Sequence, residues 1–150
     1  MGGIKIITSN KRAGYDFFLD EKFEAGLVLQ GTEVKSLRAG KCTMTESFCD
    51  FDRNNELWVK QLHIPPYTFG TYDNHQEDRK RKLLLHEKEL SYIQKSLATK
   101  GQTLIPTKLY FKGGRVKIEI ALAKGKKLHD KRESTKQKEV ERKLRQGQYE

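Results

Sequence analysis

The chain has little cysteine: Cys42 and Cys49 are its only two, too few for a disulfide framework, and a reducing, cytoplasmic setting is the simplest expectation. They form no CxxC, and His63, His75, His86 and His129 are scattered without an HxxxH spacing. No metal site is therefore expected. No apolar run approaches the roughly 18 residues of a membrane span, and the opening "MGGIKIITSN" is too short and too polar for a signal peptide. Met1-Gly2 does not begin a myristoylation motif, because an isoleucine stands where Ser or Thr is required. GxSxG, Walker and GxGxxG motifs are all missing. Glu24, Glu33 and Glu46 show no spacing that singles out an acid/base pair. The expectation is a protein that is not an enzyme and needs no cofactor.

What is abundant is positive charge. Lys and Arg number 30 against 20 Asp and Glu, for a net charge of +10. That excess favours an anionic partner, nucleic acid foremost. The apolar residues, 35% of the chain, gather into periodic runs, as a single globular core requires.

Residues Tyr15 to Gln30, "YDFFLDEKFEAGLVLQ", read as two strand segments or one bent strand interrupted by a bulge. "GTEVKSLRAG" predicts a short helix, with Thr32 able to cap its start and Gly40 able to turn left-handed after its end. Val34 and Leu37 share its apolar face. Lys35 and Arg38 lie three apart on another face, and we count them among the candidate RNA contacts. "TMTESFCDF" and "ELWVKQLHI" around the turn "DRNN" predict an antiparallel pair ended by Pro65-Pro66. "YTFGTYDNHQEDRKRK" reads as an exposed loop whose "RKRK", Arg79 to Lys82, suits backbone contacts to nucleic acid. Leu90, Ile93 and Leu97 mark one face of a helix closed by Gly101.

The clearest local pattern is "TLIPTKLYFKGGRVKIEIALAK". A two-residue Gly113-Gly114 turn pairs Lys112 with Arg115, Phe111 with Val116, Tyr110 with Lys117, Leu109 with Ile118 and Lys108 with Glu119. Alternation then buries Leu109, Phe111, Val116, Ile118, Ile120 and Leu122. It aligns Lys108, Tyr110, Lys112, Arg115 and Lys117 on the outer face. An aromatic among cations can stack an unpaired base and neutralise its phosphates, or be an ordinary solvated face. Five or six strands with two helices predict a mainly β fold, an antiparallel barrel or sandwich with flanking helices. The apolar alternation stops near Gly125, dividing a folded part, 1–125, from a basic tail, 126–150. Nine Lys and Arg against five Asp and Glu occupy that tail. Its Glu139–Lys143 and Glu141–Arg145 pairs favour a helix, but without a core it is expected to be disordered until a partner orders it.

"NKRAGYDFFLDEKFEAGLVLQGTEVKSLRAGK", "RKLLLHEKEL" and "TLIPTKLYFKGGRVKIEIALAKGKKLHDKR" together resemble the SsrA-binding (small protein B) family of bacteria, from Asn10 to Arg132. The resemblance implies an oligonucleotide-binding (OB) fold barrel with two to three helices, and a non-enzymatic adaptor of transfer-messenger RNA (tmRNA) in trans-translation. It implies RNA contacts at Glu24, Leu84 and Lys117, to which the hairpin reading adds Tyr110. It implies partners in tmRNA, the ribosome with its 16S rRNA, decoding centre and mRNA channel, and elongation factor Tu. In the tail it implies a hinge at Gly125 and ribosome contacts at Lys126, Lys127, His129, Asp130, Lys131 and Arg132. Two departures from the family pattern are the proline-free loop "NHQEDRKRK" and Gly14, where a basic residue is common. A structural ribosomal protein with an rRNA-threading tail is the alternative reading.

Overall fold

The computed structural model describes residues 3–69, 74–127 and 132. Strand β1 (Ile4–Ser9) and the single-turn helix α1 (Ala13–Asp16) precede the long strand β2 (Phe17–Leu27) and helix α2 (Gly31–Arg38). Three short strands follow, β3 (Phe48–Phe51), β4 (Leu57–Lys60) and β5 (Arg81–Leu84). Helix α3 (Glu87–Thr99) leads into the hairpin of β6 (Thr103–Lys112) and β7 (Arg115–Gly125). The order β1-β6-β3-β4-β5-β2-β7, with β6 also paired to β7, closes six strands into a ring and leaves β1 outside, on β6. A mainly antiparallel sheet with three helices is the expected architecture; β1 and α1 go beyond the elements read from sequence.

The β6–β7 hairpin has all five expected pairings, from Lys112 with Arg115 to Lys108 with Glu119. Gly113 and Gly114 both have positive φ, 58° and 77°, which a two-residue turn of matching twist requires and which side chains resist. The bulge foreseen within Tyr15–Gln30 falls between Leu19 and Lys22, where the β2–β7 register slips. The inward faces of the ring meet α3 through Ile93, and Leu37, Met44, Leu57, Val59 and Ile118 fill the interior with them. Burying such side chains contributes about 1.5–3 kcal/mol each before entropy is counted. Among the described residues, no helix is long and apolar enough to cross a membrane.

Two local expectations need correction. The α2 cap is Gln30, not Thr32: its amide donates to Glu33 Oε1 at 2.8 Å, the reach-back of a capping box. Thr32 instead meets the ring of His75, Oγ1 to Nδ1 at 2.9 Å. Strand β4 ends at Lys60, before Gln61 with φ 58°, well short of Pro65-Pro66.

Candidate nucleic-acid interface

Side chains on one face of adjacent strands line up across the pairing direction. In this sheet Leu84 of β5 pairs with Gly26 of β2, Gly26 with Lys117 of β7, Lys117 with Tyr110 of β6, and Tyr110 with Ile6 of β1. A single row thus crosses five strands on the outer face. Glu24 lies on the same face, two residues before Gly26. Glu24, Leu84 and Lys117 therefore converge around one shallow pocket of about 310 Å³, which His86 and Glu89 complete. Three residues spread over 94 positions of sequence become neighbours only because β2 is inserted between β5 and β7.

The electrostatics are organised about Glu24. The Tyr110 hydroxyl donates to Glu24 Oε2 at 2.6 Å, and Lys112 Nζ donates to both carboxylate oxygens at 3.2 and 3.3 Å. The Tyr110 hydrogen bond first, then Lys112 and nearby Lys117, hold the Glu24 carboxyl below its ordinary value against a lesser effect of burial. Burial, then Glu24, pushes the Tyr110 phenol upward, so it remains a donor. Leu84 is 52% exposed, a leucine presented to solvent at the end of a strand.

The open stacking platform expected at Tyr110 is corrected by this geometry. Tyr110 is only 6% exposed, covered by its neighbours while its hydroxyl orients Glu24. Basic side chains of the hairpin surround it. Of the α2 candidates, Lys35 is exposed and its ammonium lies 5.5 Å from the Tyr67 ring centre. Arg38 is exposed at the end of the helix. Neither lines the pocket beside Glu24.

The "RKRK" segment is corrected too. Each of its four cations has a partner inside the protein. Arg79 and Arg81 both bond the Glu33 carboxylate, Lys80 lies 4.6 Å from the Trp58 ring centre, and Lys82 pairs with Glu56 at 2.6 Å. Glu33 and Arg81 are 0% exposed. Burial alone would raise the Glu33 carboxyl, but the bonds from Arg79, the Gln30 amide and Arg81 outweigh it and hold it low. Nor is the preceding loop loose where it is described. Asn74 exchanges hydrogen bonds with the Tyr67 backbone, and buried His75 bridges Thr32 and the Ile64 carbonyl. Sequence reasoning missed this cluster. The one available signal was Glu33 standing three residues after Gln30.

The tail begins at the other end of β7, eight residues from Lys117 and so roughly 26 Å away at a strand's rise. Gly125 pairs with Phe17 inside the sheet. The Lys126 amide donates to Asp16 O at 2.8 Å, its ammonium donates to Gly14 O at 2.8 Å and lies 5.0 Å from the Phe18 ring centre. Gly125, the expected hinge, is thus laddered into the sheet, and Lys126 beyond it is tied to α1. Lys127 and Arg132 are exposed. His129, Asp130 and Lys131, and with them the expected disorder and helicity of the tail, lie outside the described residues.

The two cysteines are unpaired. Burial pushes the Cys42 thiol up to about 12 and the Cys49 thiol upward as well, which suppresses thiolate chemistry at both. Among the described residues, no three His, Cys, Asp or Glu side chains are placed to hold a metal ion.

A family model described as "SmpB protein" matches residues 7–149. The SsrA-binding protein of Syntrophotalea carbinolica is 55% identical over 95% of this chain and 94% of its own. That of Bifidobacterium adolescentis is 51% identical over 93% and 88%. A solved chain reported under the words "tmRNA-SmpB: a journey to the center of the bacterial ribosome" superposes with a TM-score of 0.68 at 46% identity, covering 85% of this chain and 93% of that one.

Proposed function

Since the chain belongs to the SmpB family, we propose that it binds tmRNA and acts with it on the ribosome in trans-translation, by binding and without catalysis. The observation that carries this reading is the convergence of Glu24, Leu84 and Lys117 on one face of the sheet, around the bare backbone of Gly26. A cation, an exposed aliphatic side chain and an oriented carboxylate side by side serve three parts of a folded RNA. Lys117 neutralises phosphate. Leu84 offers an apolar surface to an unstacked base. Glu24, fixed by Tyr110 and Lys112, accepts from base or ribose donors. Lys35 and Arg38 add charge from the neighbouring helix.

In the same reading, the segment rooted at Gly125 and Lys126 runs from Lys127 through His129, Asp130, Lys131 and Arg132 into the mRNA channel. There it meets 16S rRNA at the decoding centre, and elongation factor Tu joins through the tmRNA complex. The first experiment is binding of the Lys117→Glu variant to the tRNA-like domain of tmRNA over a range of salt. Reversing one phosphate-contacting charge is expected to lower affinity tenfold or more and to reduce the salt slope by about one, with the melting temperature unchanged. Parent-like affinity in a folded variant would overturn the assignment of this face.

A further inference from the structure

A glycine inside a strand lowers its stability relative to alanine, and it often marks a place where something approaches the backbone closely. Gly26 is such a glycine, and the fold does not require it. Its φ lies outside the left-handed region. A Cβ placed there would meet Leu84 Cβ at 3.4 Å and Cδ1 at 3.7 Å, ordinary contacts, and no atom of Lys117 is among its nearest neighbours. Yet Gly26 sits in the middle of the row, in register with Leu84 on one side and Lys117 on the other. Those two side chains stand on strands two spacings apart, about 9.5 Å. A planar ring held between two aliphatic groups needs about 7–8 Å. The empty position between them has the width of one aromatic heterocycle.

We infer that Gly26 forms the floor of a slot that takes a single unstacked RNA base between Leu84 and the methylene stem of Lys117. The inference rests on the reading of this face as the RNA contact, and it adds Gly26 as the residue that decides whether a base can enter. Leu84 covers one face of the ring. The Lys117 stem covers the other while its ammonium reaches outward to phosphate. On the hairpin side the slot opens into a pocket of about 300 Å³ walled by Leu27, Leu29, Val34 and Val116, with Arg115 at its rim. On the other side it opens toward Glu24, whose carboxylate can accept from the edge of the inserted base. An apolar slot with cations at its mouth suits a base attached to a phosphate backbone.

The test compares Gly26→Ala and Gly26→Val with the parent protein and Lys117→Glu. The ligands are the tRNA-like domain of tmRNA and a set of copies, each with one unpaired nucleotide made abasic. Valine favours strands, so the Gly26→Val variant is expected to melt at the same temperature as the parent or higher. Its affinity is expected to fall about tenfold, with Gly26→Ala in between. One abasic RNA is expected to bind the parent more weakly and to show no further loss with Gly26→Val, the signature of a shared contact. Should Gly26→Val fail to fold, the alanine variant on the same RNA set decides. Parent-like binding by the folded glycine variants, with Lys117→Glu impaired, would overturn the slot and leave the face assignment standing. Parent-like binding by Lys117→Glu would remove both. An equal loss with Gly26→Val on every abasic RNA would also overturn base insertion.

Discussion

Replacing Glu33 by glutamine changes one oxygen to an amide nitrogen at a buried carboxylate that holds two arginines. Glu33 receives the Gln30 amide at 2.8 Å, the Arg79 Nε at 3.2 Å to each oxygen and the Arg81 guanidinium. Arg79 is partly exposed and can turn toward water. Arg81 cannot. It keeps hydrogen bonds to the Leu62 and Glu77 carbonyls but loses the anion that balances its buried charge. Removing one partner of a buried pair costs about 3–5 kcal/mol, and the surviving carbonyl bonds place Glu33→Gln near 3. For a chain of this length that is roughly 6–12 °C in melting temperature. Urea unfolding followed by the fluorescence of Trp58, the single tryptophan, reads it directly, because Trp58 pairs with Lys82 next to Arg81. The pH dependence has a definite sign. A carboxyl held low in the folded state contributes stability that is present above its unfolded value, near the ordinary 4.5, and is lost as the pH falls through the folded value. The gap between parent and Glu33→Gln should therefore be full at pH 7 and narrow below about pH 4.5. A difference under 1 kcal/mol at pH 7, or a gap that widens in acid, would refute the reasoning.

Two further substitutions probe the interface and the tail root. Tyr110→Phe keeps the ring and removes the hydroxyl that orients Glu24. RNA affinity is expected to drop several-fold at an unchanged salt slope, because no phosphate contact is lost; full retention would mean that the ring and not the hydroxyl matters. Gly125→Ala is expected to leave stability and the tagging of stalled peptides at parent levels, since Gly125 has no left-handed φ and open space where a Cβ would stand. Loss of tagging in that variant would restore the hinge to Gly125.

The parts legible in the sequence are those set by local rules. The hairpin register follows from a two-residue turn and a period of two, so every side chain from Lys108 to Glu119 could be assigned a partner without any tertiary information. Helix α3 was legible because Leu90, Ile93 and Leu97 repeat at helical spacing. What the residues themselves could not show was long-range placement. Glu33 and Arg81 are 48 positions apart, and nothing in "RKRK" distinguishes an arginine aimed inward from one aimed at RNA. Tyr110 was placed on the correct face, but its burial was not legible, because Glu24, which its hydroxyl meets, stands 86 positions away. Glu24 and Leu84 were reached only through the family resemblance, because their proximity to Lys117 depends on β2 lying between β5 and β7. Charge composition pointed to nucleic acid, yet it overstated which cations face it.

That overstatement bears on how the molecule works. Burying Arg81 on Glu33 withdraws that cation from nonspecific attraction to phosphate, and with Arg79 on the same carboxylate it fixes β5. Leu84 is the last residue of that strand, three positions after Arg81, so the buried pair that stabilises the fold also sets where Leu84 stands relative to Lys117. Strand β7 extends the same logic along the molecule. It carries Lys117 near one end and Gly125 at the other, it is paired on both edges, and Lys126 is bonded to α1 beyond it. The distance from the RNA-facing row to the tail root is thus set by the sheet and not by a flexible linker. In the proposed function, RNA held at one end of β7 delivers the tail to a fixed place. The tail's search is confined to the residues beyond Lys126, which raises its effective concentration at its target without any new contact.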